Sequence, residues 1–411
     1  MNCSHSRPSA SSTTTSCADA EAPAVLPTRA TPCNPCSLSA DEVLARLDDF
    51  DAILDARSED EYALDHLPGA RNWPTLRNEE RRIVGTIYKQ VHPFEARKRG
   101  AAMAARNIAA HIENEALDLP KSWRPLVYCW RGGQRSASLA LVLAQIGFRV
   151  SMLAGGYKAF RAAVVADTQR RVPTLAWRVV CGPTGAGKTR LLHALAEQGA
   201  QVLDLEALAV HRSSVLGAIH GEPQPSQKHF ETRIWEALRR FDPERPVFVE
   251  SESRKVGNLS VPPVLIDAMR NSPCLDLQLP IDERVALLME DYAHLADDIG
   301  DFCQRLSVLS ALRGKATVAS WQDRARNGAL TQVVRELLEL HYDPAYSQSI
   351  ARNFPHFAQA VPLRLANRGA QAMREVANRA IATCVAPTGV GASRIGGTQR
   401  GQYSEASSPN A

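Results

Sequence analysis

The sequence predicts an α/β chain: two consecutive parallel-sheet domains with a helical appendage behind them. Three observations carry that prediction. Short apolar strand-like runs alternate with helical ones in both halves of the chain. In each half one strand runs into a glycine-containing loop that opens a helix, Tyr128-Cys129-Trp130-Arg131-Gly132-Gly133-Gln134-Arg135-Ser136 in the first and Gly182-Pro183-Thr184-Gly185-Ala186-Gly187-Lys188-Thr189 in the second. From Asp282 apolar residues recur at helical spacing, through Val285, Leu288, Met289, Tyr292, Leu295, Ile299, Phe302, Leu306 and Leu309.

The bulk numbers bound the function classes. A chain of 411 residues holds two or three cores, and no run of about 18 apolar residues predicts a membrane span. The net charge of +4 permits a nucleic acid partner only through a local surface. Nine cysteines, odd in number and irregularly spaced, suit a reducing cytoplasm better than a disulfide framework. Residues 1–37 are rich in Ser, Thr, Ala and Pro, lack the apolar core of a signal peptide, and read as a disordered leader. Their Cys33 and Cys36 pair lacks the two further ligands that a zinc site needs.

Order is expected from Leu38. Ser39 and Glu42 have capping-box spacing before a stripe of Val43, Leu44 and Leu47. A strand at Ala52 to Arg57 ends in Asp55-Ala56-Arg57, and Pro68-Gly69 marks a turn. Asn78 to Leu119 is helix-rich and carries Arg97-Lys98-Arg99-Gly100, a basic run that taken alone reads as a solvated helix face. The strand Leu126 to Tyr128 then delivers Cys129. Gly132 and Gly133 let backbone N–H groups curl around the sulfur, while Arg131, Arg135 and the start of a helix at Gln134 and Ser136 favour its anion. An inert core cysteine would need neither the glycine pair nor the two cations. A strand at Val150 to Leu153 and Gly155-Gly156-Tyr157-Lys158 close a domain spanning 38–166.

After a connector at 167–176 the pattern restarts. The strand Trp177 to Cys181 and a helix through Leu191, Leu192 and Leu195 flank the Gly182 to Thr189 loop, which fits G-x-x-x-x-G-K-[ST] in its required context. Gly182, Gly185, Gly187 and Lys188 would cradle diphosphate oxygens, and Thr189 is placed to hold a Mg²⁺. Two strand ends deliver carboxylates, Asp204 and Glu206 from one and Glu250 and Glu252 from the other. Which of the four touches a metal stays open. Arg212 and Arg254 lie beside them in sequence. The expected limits are 177–280 for this α/β domain, 281–384 for the helical region and 385–411 for a disordered tail. The arginines of the helical region, among them Arg313, Arg324, Arg326 and Arg335, read singly as solvated helix faces.

The order Asp55-Ala56-Arg57, Pro68-Gly69-Ala70-Arg71-Asn72, Cys129-x-Arg131-Gly132-Gly133-x-Arg135-Ser136 and Gly155-Gly156-Tyr157-Lys158 resembles a rhodanese domain. Followed by a P-loop NTPase-like domain with Asp204-Leu205-Glu206, His211-Arg212, Ser226-Gln227, Glu252-Ser253-Arg254 and Tyr342-Asp343-Pro344, it resembles the bacterial tRNA 2-selenouridine synthase family from about Ser39 to Arg364. Ser213 stands where that family commonly has a glycine. The resemblance implies a tRNA carrying wobble 2-thiouridine as substrate, geranyl diphosphate and selenophosphate as co-substrates, and a selenophosphate-supplying enzyme as a partner. It further implies S-geranylation followed by replacement of the geranylthio group by selenium, carried on Cys129 as a perselenide. The stretch Glu79 to Gly100, longer than in simple rhodaneses, would help admit tRNA or the isoprenoid tail.

The P-loop leaves three ligands open: geranyl diphosphate, a nucleotide such as ATP, or tRNA phosphate. Two other function classes compete with the synthase reading. An ATP-using sulfurtransferase would carry a persulfide on Cys129, and a non-catalytic binding module would tolerate its loss.

Overall fold

The computed structural model describes residues 34–212, 222–291 and 298–385. The first sheet is all parallel, in the order β1 (Cys36–Leu38), β5 (Ser151–Leu153), β4 (Pro125–Tyr128), β2 (Ala52–Asp55), β3 (Ala70–Asn72). The central strands β2 and β4 are buried along their whole length, as a sheet covered on both faces requires. One face packs under α5 (Gln134–Ile146) with Leu139 and Leu143, and the other under α1 (Ala40–Ala45) and α6 (Gly156–Arg171) with Val43 and Phe160. Ser39 and Glu42 form the capping box that their spacing predicts. Order begins slightly before Leu38, because Cys36 N–H donates to Val150 O and starts β1. Cys33 and the rest of 1–33 lie outside the described residues, as do Ser213 and the tail from 386.

The second sheet is also parallel, in the order β12 (Val361–Arg364), β11 (Cys274–Gln278), β6 (Ala176–Cys181), β8 (Pro246–Glu250), β7 (Gln201–Leu203). A small antiparallel ribbon pairs β9 (Lys255–Val256) with β10 (Leu259–Ser260). Three features depart from expectation. The connector at 167–176 is helical through Arg171, because α6 continues and Asp167 accepts hydrogen bonds from Arg170, Arg171 and Trp235. The C-terminal region is not purely an appendage. It returns to the sheet as β12, whose Pro362 is tolerated on an edge strand, and its last helix (Ala370–Val385) packs on α7 (Lys188–Glu197) through Met373, Val376 and Ala380. The apolar run from Asp282 is not one helix either. It is described as α11 (Ile281–Asp291) and a separate helix (Ile299–Leu306) capped by Asp298, with Tyr292 and Leu295 outside the described residues.

The two domains share an apolar and polar seam along α9 (Gln227–Leu238). Trp235 is buried in the core of the first domain against Phe160, ring centroids 5.9 Å apart. Asp65, fully buried, accepts from Tyr157 Oη (2.8 Å) and Thr232 Oγ1 (3.0 Å), with His229 Nδ1 at 3.2 Å. His66 stacks on Tyr62 at 4.0 Å and lies 5.0 Å from His229. Burial, with His229 close by, holds the His66 imidazole below its ordinary value. A base depressed in the folded state contributes its stability fully above its unfolded value, about pH 6.5, and loses it as pH falls. The melting temperature should therefore decline between pH 7 and 5. His66→Phe should flatten that decline in a calorimetric pH series.

Candidate functional site

Cys129 follows β4 directly, so its side chain stands at the carboxyl edge of a parallel sheet where ligands bind in such folds. The loop after it lies on the start of α6. Tyr157 N–H donates to Cys129 O at 2.8 Å and Lys158 N–H to Trp130 O at 3.1 Å. A Cβ on Gly156 would sit 2.2 Å from Cys129 O, and Gly156 has φ +60°, so only glycine admits this approach. Sγ accepts from Ser136 Oγ at 3.1 Å and is itself almost fully buried. Cys129, Trp130, Arg131, Gly133, Gln134 and Arg135 line an open hollow of about 450 Å³.

Below the loop, Asp55 holds the buried Arg57 through both carboxylate oxygens and accepts from Tyr128 Oη at 2.7 Å. The Arg57 guanidinium stands 4.0 Å from the Tyr157 ring centroid. This buried network makes the floor rigid. The two arginines at the rim differ. Arg131 is exposed, whereas Arg135 is paired with Glu61 at 2.7 Å, which also takes Arg81 at 3.2 Å. Much of the Arg135 charge is therefore spent on Glu61, and Lys228 from α9 supplies a further cation over the Trp130 ring at 5.9 Å.

The second site surrounds the Gly182 to Thr189 loop, in a cavity of about 620 Å³. Gly185 (φ +77°) and Gly187 (φ +88°) give the loop its turns, and Lys188 Nζ donates to Gly182 O at 3.0 Å. Three groups remote in sequence fix the loop from behind. Gly182 N–H donates to Tyr346 Oη at 2.7 Å, and Arg284 donates to Thr184 O at 2.7 Å while pairing with Asp343 at 2.6 Å. Thr189 Oγ1 donates to Glu206 Oε2 at 3.2 Å.

Glu206, Glu250 and Glu252 each present one oxygen within 4.8 Å of the others. Glu250 Oε1 is buried with no hydrogen-bond partner. Burial, with Glu206 and Glu252 beside it, pushes the Glu250 carboxyl well above the usual carboxylate range. Such a group loses folded-state stability as pH rises from its unfolded value through the folded one. Glu250→Gln is thus expected to raise the melting temperature at neutral pH, by about 2–4 °C per kcal/mol recovered. Melting of the wild type and of this variant with and without added Mg²⁺ tests whether the three carboxylates bind a divalent cation.

The other sequence-predicted residues fall in different places. Asp204 caps α8 (Leu205–Ala209), accepting from Ala207 N–H at 2.8 Å, and lies 3.3 Å from His193 at the cavity wall. Arg212 lines the cavity and donates to Asp291 O at 2.8 Å. Arg254 is exposed on the turn before β9 and does not line the cavity. Gly100 is in the middle of α4 (Pro93–Glu115), where an added Cβ would meet Val84 of α3 (Asn78–Gln90) at 3.4 Å, so it serves helix packing rather than either hollow. Arg270, whose Nε is buried without a partner, lines the cavity and was not signalled by any local motif.

Comparison with known proteins bears on both halves. Residues 39–163 match the Rhodanese-like domain family and residues 175–308 the tRNA 2-selenouridine synthase AAA domain family. A tRNA 2-selenouridine synthase from Hydrogenovibrio crunogenus is 31% identical over 340 residues, 74% of this chain and 92% of that protein. One from a Sulfurovum species is 30% identical over 330 residues, 73% of this chain and 89% of that protein. The chain belongs to the tRNA 2-selenouridine synthase family. A Nitrosomonas europaea member is 36% identical over 244 residues, 58% of this chain and 63% of its own length, so that match spans less than two thirds of the relative. Cys129 falls in the first matched domain and Lys188, Glu206, Glu250 and Glu252 in the second, while Tyr346 and Phe354 complete the second cavity from beyond the match. Among the described residues no helix is long and apolar enough to cross a membrane.

Proposed function

We propose that the chain is a cytoplasmic tRNA-modifying transferase that converts wobble 2-thiouridine to 2-selenouridine in two stages, one at each hollow. The observation that supports this most is the pairing, in a chain of this family, of a buried thiol on a glycine-containing strand-to-helix loop with a G-x-x-x-x-G-K-[ST] loop lining a second cavity. In the first stage the thiocarbonyl sulfur attacks C1 of geranyl diphosphate. The carbon–oxygen bond breaks, the diphosphate leaves into the Gly185–Lys188 cradle, and the uracil N3 proton is lost. Lys188 would move from Gly182 O onto the departing phosphate, stabilising charge where it develops.

The acid cluster suits a hard divalent cation such as Mg²⁺, because Glu250 Oε1 is buried without a partner and three carboxylates crowd together. Thr189, Glu206, Glu250 and Glu252 would hold it, and it would supply charge neutralisation for a diphosphate leaving group.

In the second stage the selenium of selenophosphate attacks C2, the C2–S bond breaks and the geranylthio group departs as a thiol, as a thiocarbonyl sulfur does not, and water cleaves the phosphorus–selenium bond to release phosphate and leave selenium on C2. Cys129, in the first hollow with Ser136 Oγ beside its sulfur, would present the selenium. A perselenide on Sγ also calls for a two-electron oxidant on loading and a thiol on release, since selenophosphate carries selenium at the selenide level. Intact-protein mass spectrometry after exposure to selenophosphate separates a covalent carrier from a residue that only holds the donor.

The test of the whole reading is nucleoside mass spectrometry of 2-thiouridine tRNA incubated with the purified chain, geranyl diphosphate and selenophosphate, omitting each in turn. Geranylated nucleoside without selenophosphate, and selenouridine with both, is the expected pattern. Neither product, with ATP consumed on adding tRNA, would replace the reading by an ATP-using sulfurtransferase.

A further inference from the structure

The positive charge of this chain is concentrated in one place. Residues 77–106, covering α3 and most of α4, hold eight Lys and Arg against three Glu, a balance of +5 in a chain whose total is +4. The remaining residues therefore sum to −1. Lys89, Arg97, Arg99 and Arg106 form no ion pair among the described residues. The end of this helical hairpin also carries Tyr88, Val91 and Phe94, exposed by 57%, 69% and 54%. Among the described residues, Tyr88 and Phe94 are the only large aromatic side chains exposed to this degree.

The hairpin is aimed from the Cys129 hollow. At its base Arg81 shares Glu61 with Arg135, a residue of that hollow. Asn107 ties α4 to Glu80 at 2.6 Å and to Thr75 O at 3.2 Å. Arg81, Gly85 and Tyr88 stand at helical i, i+4 and i+7 spacing, so the face that begins beside the hollow continues to the tip. No atom would meet a Cβ on Gly85 within 4 Å, so that face is open. The main packing partner of α3 is α4, and no α3 side chain is buried.

We infer that the hairpin is the RNA-docking arm of this protein: free cations on α3 and α4 grip the phosphates flanking the modified nucleotide, and Tyr88 and Phe94 stack on unpaired bases. Unstacked loop bases pair with aromatic faces, and phosphates with Lys and Arg, in sequence-tolerant RNA binding. The charge decides against an isoprenoid tail or a second copy of this chain as occupant, since neither complements a balance of +5. The inference rests on the tRNA substrate proposed above.

Fluorescence anisotropy with the full chain and labelled tRNA carrying 2-thiouridine, over a salt series, tests it. Lys89→Glu/Arg97→Glu/Arg99→Glu should weaken binding at least about tenfold and flatten the dependence of log K on log salt by roughly 0.7 per lost phosphate contact. Tyr88→Ala/Phe94→Ala should weaken binding by about thirtyfold or more at an unchanged salt slope, as stacking of about 1–3 kcal/mol on each of two bases implies. All five side chains are exposed, and unchanged melting temperatures would verify intact folding. Wild-type affinity and slope in both variants would overturn the docking arm while leaving the tRNA substrate in place. Failure of the wild type to bind any tRNA would remove both. A wild-type dimer that the variants turn into monomers, with tRNA affinity unchanged, would assign the face to self-association instead.

Discussion

Replacing Cys129 by serine is expected to lower selenouridine formation by about a thousandfold or more while S-geranylation proceeds within about twofold of wild type. Serine preserves the volume of the side chain and can still bond to Ser136 Oγ, which now lies 3.1 Å from Sγ. The floor of Asp55, Arg57 and Tyr128 is untouched. What changes is the atom: a hydroxyl is not ionised near neutral pH and does not hold selenium. The geranylated nucleoside should therefore accumulate, read by mass spectrometry of digested tRNA. Equal loss of both products would mean that the first stage also needs the thiol. An undiminished yield of selenouridine would remove Cys129 from the chemistry altogether.

The two loops were legible in the sequence because their chemistry needs contiguous residues. Cys129 with Gly132, Gly133 and Ser136, and Gly182 to Thr189, each fold as one strand-to-helix turn, so spacing alone reveals them. The carboxylates were legible in kind but not in grouping. Strand ends locate Asp204, Glu206, Glu250 and Glu252, yet only three converge, because Asp204 turns to cap α8. What sequence could not show are contacts made at long range. Arg284 and Tyr346 reach the P-loop from 100 and 164 residues away. Trp235 of the second domain completes the core of the first, and β12 adds a short edge strand containing a proline. None of these leaves a periodic trace, since each is set by where another element happens to pass. The basic run at Arg97 to Arg99 illustrates the same limit: alone it is a solvated helix face, and only the hairpin sets it on one arm with Lys89 and Tyr88, an arm whose base meets the Cys129 rim through Arg81 and Glu61.

Lys188→Ala should give the mirror image of the Cys129 variant. The lysine is the one side-chain cation inside the G-x-x-x-x-G-K-[ST] loop, and its present bond to Gly182 O at 3.0 Å is one that a bound diphosphate would replace. Removing a preorganised donor at the site of developing charge costs about 2.7–4 kcal/mol, a factor of about 100 to 1,000 in rate. That loss is expected in geranylation of 2-thiouridine tRNA. Selenation of tRNA supplied already geranylated should stay near wild type, because the loop's ligand has then done its work. Fold is not at issue, since Tyr346 and Arg284 hold the loop through backbone groups that the substitution leaves alone. The two variants together decide how labour is divided. If Lys188→Ala also stops selenation of geranylated tRNA, the P-loop serves both stages and acts on tRNA phosphate or on the docking of the two domains along α9. If it abolishes a tRNA-stimulated ATP hydrolysis while geranylation survives, the loop holds nucleotide, and the prenyl diphosphate must find its cations elsewhere.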